Sequence, residues 1–524
     1  MDEITRELFY HEFIAIIEEM SETLRRASFS QRIKEGGAFS CGIFTYEGEM
    51  VTYLSPTPLY LNVGSLTVKA IKNNIPEMNK GDVYIINDPF KGGTDLSNIT
   101  LISPVFTVSD TKHPSFFIVT SASHSEMGTG NLGGVLLAKS IVEEGIFIEP
   151  IKLINQGKMN ESFLQAFFFK VSYPKARKGD LNAQILSNFL GVKKIEALVK
   201  EHGLKKIQKA TQALIDYSEY LLRKTISDIP DGEYKYVDYL DSDGLNNIKI
   251  KIKVAIKING DKAIVDFSRS HEVVRGPLNA VLSITQAAVF YVFRTLAPSY
   301  TPLNSGCLKP IEIISKKHSI LNASYPSAVT GGATETAQRI VDVLLGALSN
   351  ALPDKIPSAS QGTMNSITIT GFDKVNDKRF TFYETVPGGV GAAQGYNAPD
   401  AIQTHMMNTL GESIEAIEYK YPIKIKKYSV RNSSGGLGLF KGGNGVIKEY
   451  EILCDAKVTI MSERRLKSPY GLKGGKSGKK GNNYHFIQNN EEAINISEKV
   501  ILKVKKGDRI IIETPGGGGW GKLL

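Results

Sequence analysis

The stretch 325–365, YPSAVTGGATETAQRIVDVLLGALSNALPDKIPSASQGTMN, constrains this chain more than any other. Gly331 and Gly332 let the backbone turn sharply without a Cβ clash. A hydroxyl at Thr334 or Thr336 can cap the helix that follows. Ile340, Val343, Leu344, Ala347 and Leu348 recur at three- and four-residue spacing, which predicts a helix with one wide apolar face. Pro353 and Pro357 are expected to stop it. Gln361, Gly362, Thr363 and Asn365 then supply compact polar groups. Two polar glycine turns around one buried helix can form the rim of a pocket, or simply close a well-packed helix.

The rest of the chain is too long for one core. Its 524 residues predict two to four domains. The expected divisions are 1–227, an α/β region; 228–366, a central strand and helix region; and 367–524, a glycine-rich, basic, β-rich region. The fold class is α+β, a multi-domain mixture of helices and sheets whose C-terminal region is glycine-rich and strand-rich. Helices are expected at 4–28, 66–73, 182–225 and 280–296, and strands at 38–46, 50–54, 83–86 and 116–120. Residues 144–153 read as extended. The alternation at Ile248, Ile250 and Ile252 predicts antiparallel strands across 234–267.

No apolar run reaches membrane-spanning length, and no membrane partner is expected. The N-terminus lacks a basic-then-apolar leader pattern. Cys41, Cys307 and Cys454 are odd in number and far apart, which argues for reduced thiols in a cytoplasmic setting. The net charge of +9 is concentrated: residues 420–480 hold fifteen Lys or Arg against four Asp or Glu. Such a surplus serves a phosphate-bearing ligand or an acidic partner, or is a solvated surface. No nucleic-acid module accompanies it, so nucleic acid is not expected as a partner.

Two nucleotide-like patterns fail on their own terms. Gly128, Gly130 and Gly133 match G-x-G-x-x-G, but the acids at Glu143 and Glu144 come too soon. The run from Gly471 to Ser477 resembles a phosphate loop with its first glycine misplaced. If ATP is used, another polypeptide is expected to bind it.

Three polar sets remain. Asp88, Asp95, His124 and Glu126 lie in two strand-end loops and carry the donors of a hard divalent ion such as Mg or Mn, while Asp and Asn beside glycine equally cap turns. Glu384, His405 and Asn408 flank the glycine segment 388–395, and a carboxylate, an imidazole and an amide suit proton transfer at a carbonyl. Cys307 lacks an adjacent base in the sequence.

The segments NDPFKGGTD, EGIFIEPIKL, GDLNAQI, GPLNAV, PLNSGCLKPIEII, GGATETAQRIVDVLLGAL, PSASQGTMN, THMMNT, KGGNGVIKEY, PYGLKGGK and ETPGGGGWG occur in one order along nearly the whole chain. In them the chain resembles the hydantoinase B family, which includes the matching half of ATP-dependent 5-oxoprolinases and the alpha subunits of acetone carboxylases. The resemblance implies a cyclic-amide hydrolase subunit, with ATP bound by a separate hydantoinase A-type subunit. A ketone carboxylase subunit and a noncatalytic subunit with a degenerate metal site are the alternatives. It also implies substrate-binding roles for Glu335, Gln361, Asn365, Gly388, Gly389, Arg464 and Arg465, facing an anionic phosphorylated intermediate of a small cyclic amide or ketone. Metal-carrying members have His, Asp and His where this chain has Asp95, Asn98 and Ser123, so the resemblance stops short of an imidazole pair.

Overall fold

The computed structural model describes residues 1–107, 112–124, 127, 137–246, 248–488 and 490–523. Its first helix, Glu3–Ala27, begins where the Asp2 carboxylate accepts from the Thr5 amide at 2.9 Å. Glu3 in its first turn and Arg25 and Arg26 in its last suit the helix dipole. Phe9, Phe13, Ile16, Ile17, Met20 and Leu24 form its buried stripe.

That stripe lies on a seven-stranded antiparallel sheet, in spatial order Met50–Leu54, Phe39–Thr45, Phe116–Ser123, Asn98–Val105, Val83–Ile86, Ile151–Asn155 and Lys158–Met159. The strands are covered on both faces, and alternate side chains serve different cores. Phe39, Cys41, Ile43, Phe116 and Ile118 pack under the helices, whereas Phe44, Phe117 and Val119 join the largest core. That core runs on through the central region to Met461. The predicted helix over 182–225 is two helices, Pro174–His202 and Leu204–Ser227, broken at Gly203, whose φ is +82°. Of 144–153, read as extended, only the last three residues are strand, the start of Ile151–Asn155, and Glu144 ends a helical turn, Ile141–Glu144.

The central sheet pairs Gly232–Leu240, Ile250–Asn259 and Lys262–Asp266 antiparallel and adds Ile311–Ile314 in parallel. Ile250, Ile252, Val254, Ile256 and Ile258 alternate inward as their period of two requires. Against this sheet lie Leu282–Leu296 and Ala337–Leu348. All twelve residues of Ala337–Leu348 are buried, Gln338, Arg339 and Asp342 included, rather than a single face. It ends at Leu348, ahead of both prolines. Neither threonine caps it: a π-helical turn, Gly332–Thr336, precedes it, the Thr334 hydroxyl turns back to the Gly331 carbonyl at 3.3 Å, and the Thr336 hydroxyl bonds the Leu278 carbonyl.

Two antiparallel sheets share the C-terminal core. One holds Lys378–Thr385, Ser366–Asp373, Ala456–Met461 and Lys499–Val504; the other is built on Ile423–Val430, Val446–Ile452, Arg509–Glu513 and Asn482–Phe486. Ile367, Ile369, Ile460, Tyr450, Ile510 and Ile512 meet between them. No helix among the described residues is long and apolar enough to cross a membrane.

Candidate active site

The glycines of the C-terminal region are not loops but a close-packed backbone bundle. The segment 515–519 runs through it as the central thread. The Gly517 amide donates to the Gly443 carbonyl at 2.9 Å, the Gly436 amide to Gly517 at 2.8 Å, and the Gly518 amide to Ala359 at 2.8 Å. A Cβ on Gly517 would sit 1.9 Å from the Val390 carbonyl oxygen, and one on Gly389 would sit 2.0 Å from that of Gly443. Backbones approach so closely there that no side chain fits. The bundle also holds Gln361 in place, since the Gln361 amide donates to the Gly389 carbonyl at 2.8 Å and the Gly389 amide to Pro515 at 3.0 Å.

Above this bundle the π turn delivers Glu335. Its Oε1 accepts from the Met364 amide at 3.2 Å, while Oε2 is buried with no hydrogen-bond partner among the described residues. Such turns are rare and occur frequently at functional sites. Burial raises the Glu335 carboxyl to about 7, against the pull of the Thr363 hydroxyl and with a push from Glu463. Gln361 Oε1 accepts from Asn365 Nδ2 at 2.8 Å, and its Nε2 has no partner among the described residues. Asn365, at φ +48°, accepts Arg465 Nη1 at 2.6 Å. Arg465 is partly buried and feels the Glu335 carboxyl, and its pKa is lowered to about 10 chiefly by desolvation. Glu335, Gln361, Asn365 and Arg465 are thus brought together beside Gly388 and Gly389. The amides of both glycines are already engaged, Gly388 donating to Ile402 at 3.3 Å.

Arg464 belongs to the neighbouring charge cluster. Its guanidinium meets Asp342 and, at 2.9 Å, Asp238. Arg339 lies 3.4 Å from Asp238 and 3.6 Å from Glu463, and Lys499 is 2.6 Å from Glu463. All of these side chains are fully buried. Burial alone would raise the Asp238 carboxyl, but Arg464, Arg339 and Lys467 hold it well below the usual range. Part of the basic surplus of 420–480 is therefore spent internally, with Arg464, Arg465 and Lys448 all engaged inside the protein.

The first catalytic set is dispersed. Glu384 accepts from Lys448 and, at 2.8 Å, from the Tyr450 hydroxyl, which ties one C-terminal sheet to the other. His405, at φ +56°, sits 3.4 Å from the Tyr291 hydroxyl, and burial lowers its pKa. Asn408 is exposed.

The strand-end loops form a hydrogen-bonded cluster. Asp88 accepts from the Phe90 amide at 2.9 Å and so caps a short turn. Asp95 Oδ1 accepts from the amide of Ser97 at 2.8 Å and from its hydroxyl, which in turn lies 3.0 Å from Ser123 Oγ. His124 Nε2 is 2.8 Å from Gln184 Oε1, and burial pushes the imidazole down to about 4. Glu126 lies outside the described residues, as does the G-x-G-x-x-G run. No three His, Cys, Asp or Glu side chains converge among the described residues. Asp88 and Asp95 accept from backbone amides and hydroxyls and His124 Nε2 meets Gln184, while His124 Nδ1 is buried with no partner among the described residues. The phosphate-loop-like run is committed to the backbone bundle, its Leu472, Gly475 and Lys476 amides all donating to carbonyls.

The structure adds Glu144, which the sequence offered only as an acid too near a glycine motif. Its Oε1 accepts from the amides of Val329 and Thr330 at 2.7 and 2.8 Å, and Oε2 is unpartnered among the described residues. Burial, with Asp95 nearby, raises it to about 8. It fastens the strand-end loops to the π turn. An acid inside the apolar run EEGIFIEP was its only sequence signal.

A family model described as hydantoinase B/oxoprolinase matches residues 2–523. An uncharacterised protein of Methanocaldococcus jannaschii is 36% identical, over 99% of this chain and 91% of its own length. A 5-oxoprolinase of Dictyostelium discoideum is 35% identical over 100% of this chain, which spans 40% of that protein. The crystal structure of an ATP-dependent caprolactamase from Pseudomonas jessenii superposes with a TM-score of 0.92 at 24% identity, covering 100% of this chain and 91% of that one.

Proposed function

The chain belongs to the hydantoinase B/oxoprolinase family, and from that premise we propose that it is the B-type subunit of an ATP-dependent cyclic-amide hydrolase, with ATP handled by a separate A-type subunit. The observation that carries the reading is Glu335: a carboxyl raised to about 7, with one free oxygen, enclosed beside Arg465, Gln361 and Asn365. A carboxyl in that range takes a proton from water and returns it near neutral pH.

A lactam resists water because its nitrogen donates into the carbonyl. Phosphorylation of the carbonyl oxygen by the partner removes that donation. Water then adds to the carbon and gives its proton to Glu335. The C–N bond breaks, the ring nitrogen leaves as an amine carrying that proton, and the acyl phosphate left behind is hydrolysed by a second water. Arg465 balances the negative charge that develops. No step is assigned to a metal at Asp95 and His124.

The relatives support the division of labour, since the chain spans only two fifths of a 5-oxoprolinase. Co-purification with an A-type partner, followed by a screen of cyclic amides, tests the proposal. The complex is expected to hydrolyse ATP only with substrate and to open the ring, and Glu335→Gln is expected to lose at least 100-fold in rate. ATP hydrolysis by the isolated chain, or a bicarbonate-dependent ketone reaction in place of ring opening, would sink it.

A further inference from the structure

Glu463 reaches the Glu335 cluster through its amide, its carbonyl and its side chain at once. The amide donates to Thr363 Oγ1 at 3.0 Å. The carbonyl accepts from Arg465 Nη1 at 2.8 Å, the same nitrogen that holds Asn365. One carboxylate oxygen lies 2.6 Å from Lys499 Nζ, and the other accepts from the Asp241 amide at 2.8 Å. Asp241 closes the clasp, its Oδ2 accepting from the Arg465 amide at 2.7 Å. The side chains of Glu463 and Lys499 are both fully buried, so bulk water does not compete for the pair.

Thr363 passes this order on to Glu335. A threonine hydroxyl has two lone pairs and one proton. Amides take both lone pairs here, that of Glu463 at 3.0 Å and that of Asn365 at 3.2 Å. The proton is left for an acceptor, and the acceptor it reaches is the Glu335 carboxyl. The Met364 amide beside it donates to the same carboxyl. The loop takes this shape through two left-handed residues, Gly362 at φ +65° and Asn365 at φ +48°. Asn365 is held there by its own hydrogen bonds to Gln361, Val386 and Arg465.

We infer that Glu463 and Thr363 are positioning residues of the site: Thr363 gives its one hydroxyl proton to the Glu335 carboxylate, and Glu463 fixes Thr363 and Arg465 together from its backbone while its side chain places a second carboxylate behind Glu335. The inference rests on the proposed role of Glu335 and adds to it two residues that act through others. The charged groups facing Glu335 are Glu463, Lys499 and Arg465. Burial works against the Lys499 ammonium, yet its pairing with Glu463 carries it above its ordinary range, as an ionised pair requires. Glu463→Gln removes the charge that repels an ionised Glu335 and leaves Lys499 to attract it, so Glu335 loses its proton at lower pH. Thr363→Val removes a hydrogen bond that favours the ionised carboxylate, so Glu335 keeps its proton to higher pH. The two substitutions therefore move one group in opposite directions, which a mere loss of packing does not do.

Infrared titration of the full chain follows the protonated-carboxyl band that Glu335→Gln removes, and needs no partner subunit. Wild type is expected to titrate at about 7, Glu463→Gln about one pH unit lower and Thr363→Val about one pH unit higher, with Thr363→Ser back near wild type. In the complex, the acid limb of the pH–rate profile is expected to move in the same directions. If the thermal midpoint shows that Glu463→Gln does not fold, Thr363→Val against Thr363→Ser decides. An absent Glu335 band in wild type, equal titrations in all variants, or shifts of Glu463→Gln and Thr363→Val in one direction overturn the inference. Ring opening by the complex with an unmoved acid limb in both variants upholds the proposed reaction and overturns the positioning. The expected infrared shifts, with a complex that opens no ring, keep the positioning and remove the reaction.

Discussion

Glu335 shows what enclosure does to a single carboxyl. In the unfolded chain it ionises near 4.5, whereas in the fold burial holds its proton up to about 7. Between those values the folded chain binds the extra proton, so the associated stability is complete below pH 4.5 and is lost as the pH rises to about 7. The shift corresponds to about 3 kcal/mol. Glu335→Gln keeps an acceptor for the Met364 amide and cannot ionise. The wild-type thermal midpoint is expected to fall between pH 5 and pH 8, and that of Glu335→Gln to fall less; Glu144, raised to about 8, supplies the remaining slope. Identical slopes would mean that Glu335 is ionised in the fold. In the sequence Glu335 is one of three acids in the stretch 325–365, with nothing in its spacing to set it apart. Its place on a π turn was not legible, because the periodicity of 325–365 predicts a regular helix with a threonine cap, and packing of Gly332 against Asn279 displaces that start.

At the scale of elements, the helix Ala337–Leu348, the strand Gly232–Leu240 and the loop at 463–467 are joined by buried charge. Asp238 meets Arg339, Arg464 and, at 2.7 Å, Lys467. Removing one partner strands the others without water. Asp238→Asn is expected to cost about 3–5 kcal/mol in denaturant unfolding. Lys467→Met, at a side chain still 46% exposed, is expected to cost under about 1 kcal/mol. Comparable losses for the two would show that the network is solvated. Periodicity announced the helix and the strand but not the network. A fully buried helix has no polar face to reveal which side its Arg339 and Asp342 take. The break at Gly203 escaped for a related reason, since both halves of 182–225 carry the same helical composition and only a residue at φ +82° separates them.

The whole molecule closes on its last residues. The thread 515–519 touches segments around Ala359, Val390, Gly436, Gly443 and Lys476, so chain ends far apart in sequence become one packed unit. Loss of residues 515–523 is expected to abolish cooperative thermal unfolding of the C-terminal half, and Gly517→Ala to lower the midpoint sharply, because a Cβ 1.9 Å from a carbonyl oxygen requires the backbones to part. A truncated chain that melts with the wild type would show the thread to be an ornament of the surface. Glycine content alone suggested turns; the bundle is visible only once five segments are seen to cross. By itself the sequence determined the family, the mixed helix and sheet class, four of the seven strands of the N-terminal sheet and the buried central helix, because periodicity and ordered motifs are local and survive in one dimension. Tertiary structure alone decided which polar groups share a point: that Glu335 faces Arg465, that Glu144 holds the π turn, and that Glu384 is paired with Lys448. Those meetings are set by how sheets and helices stack, and side chains a hundred residues apart leave no mark of their contact in the spacing of either.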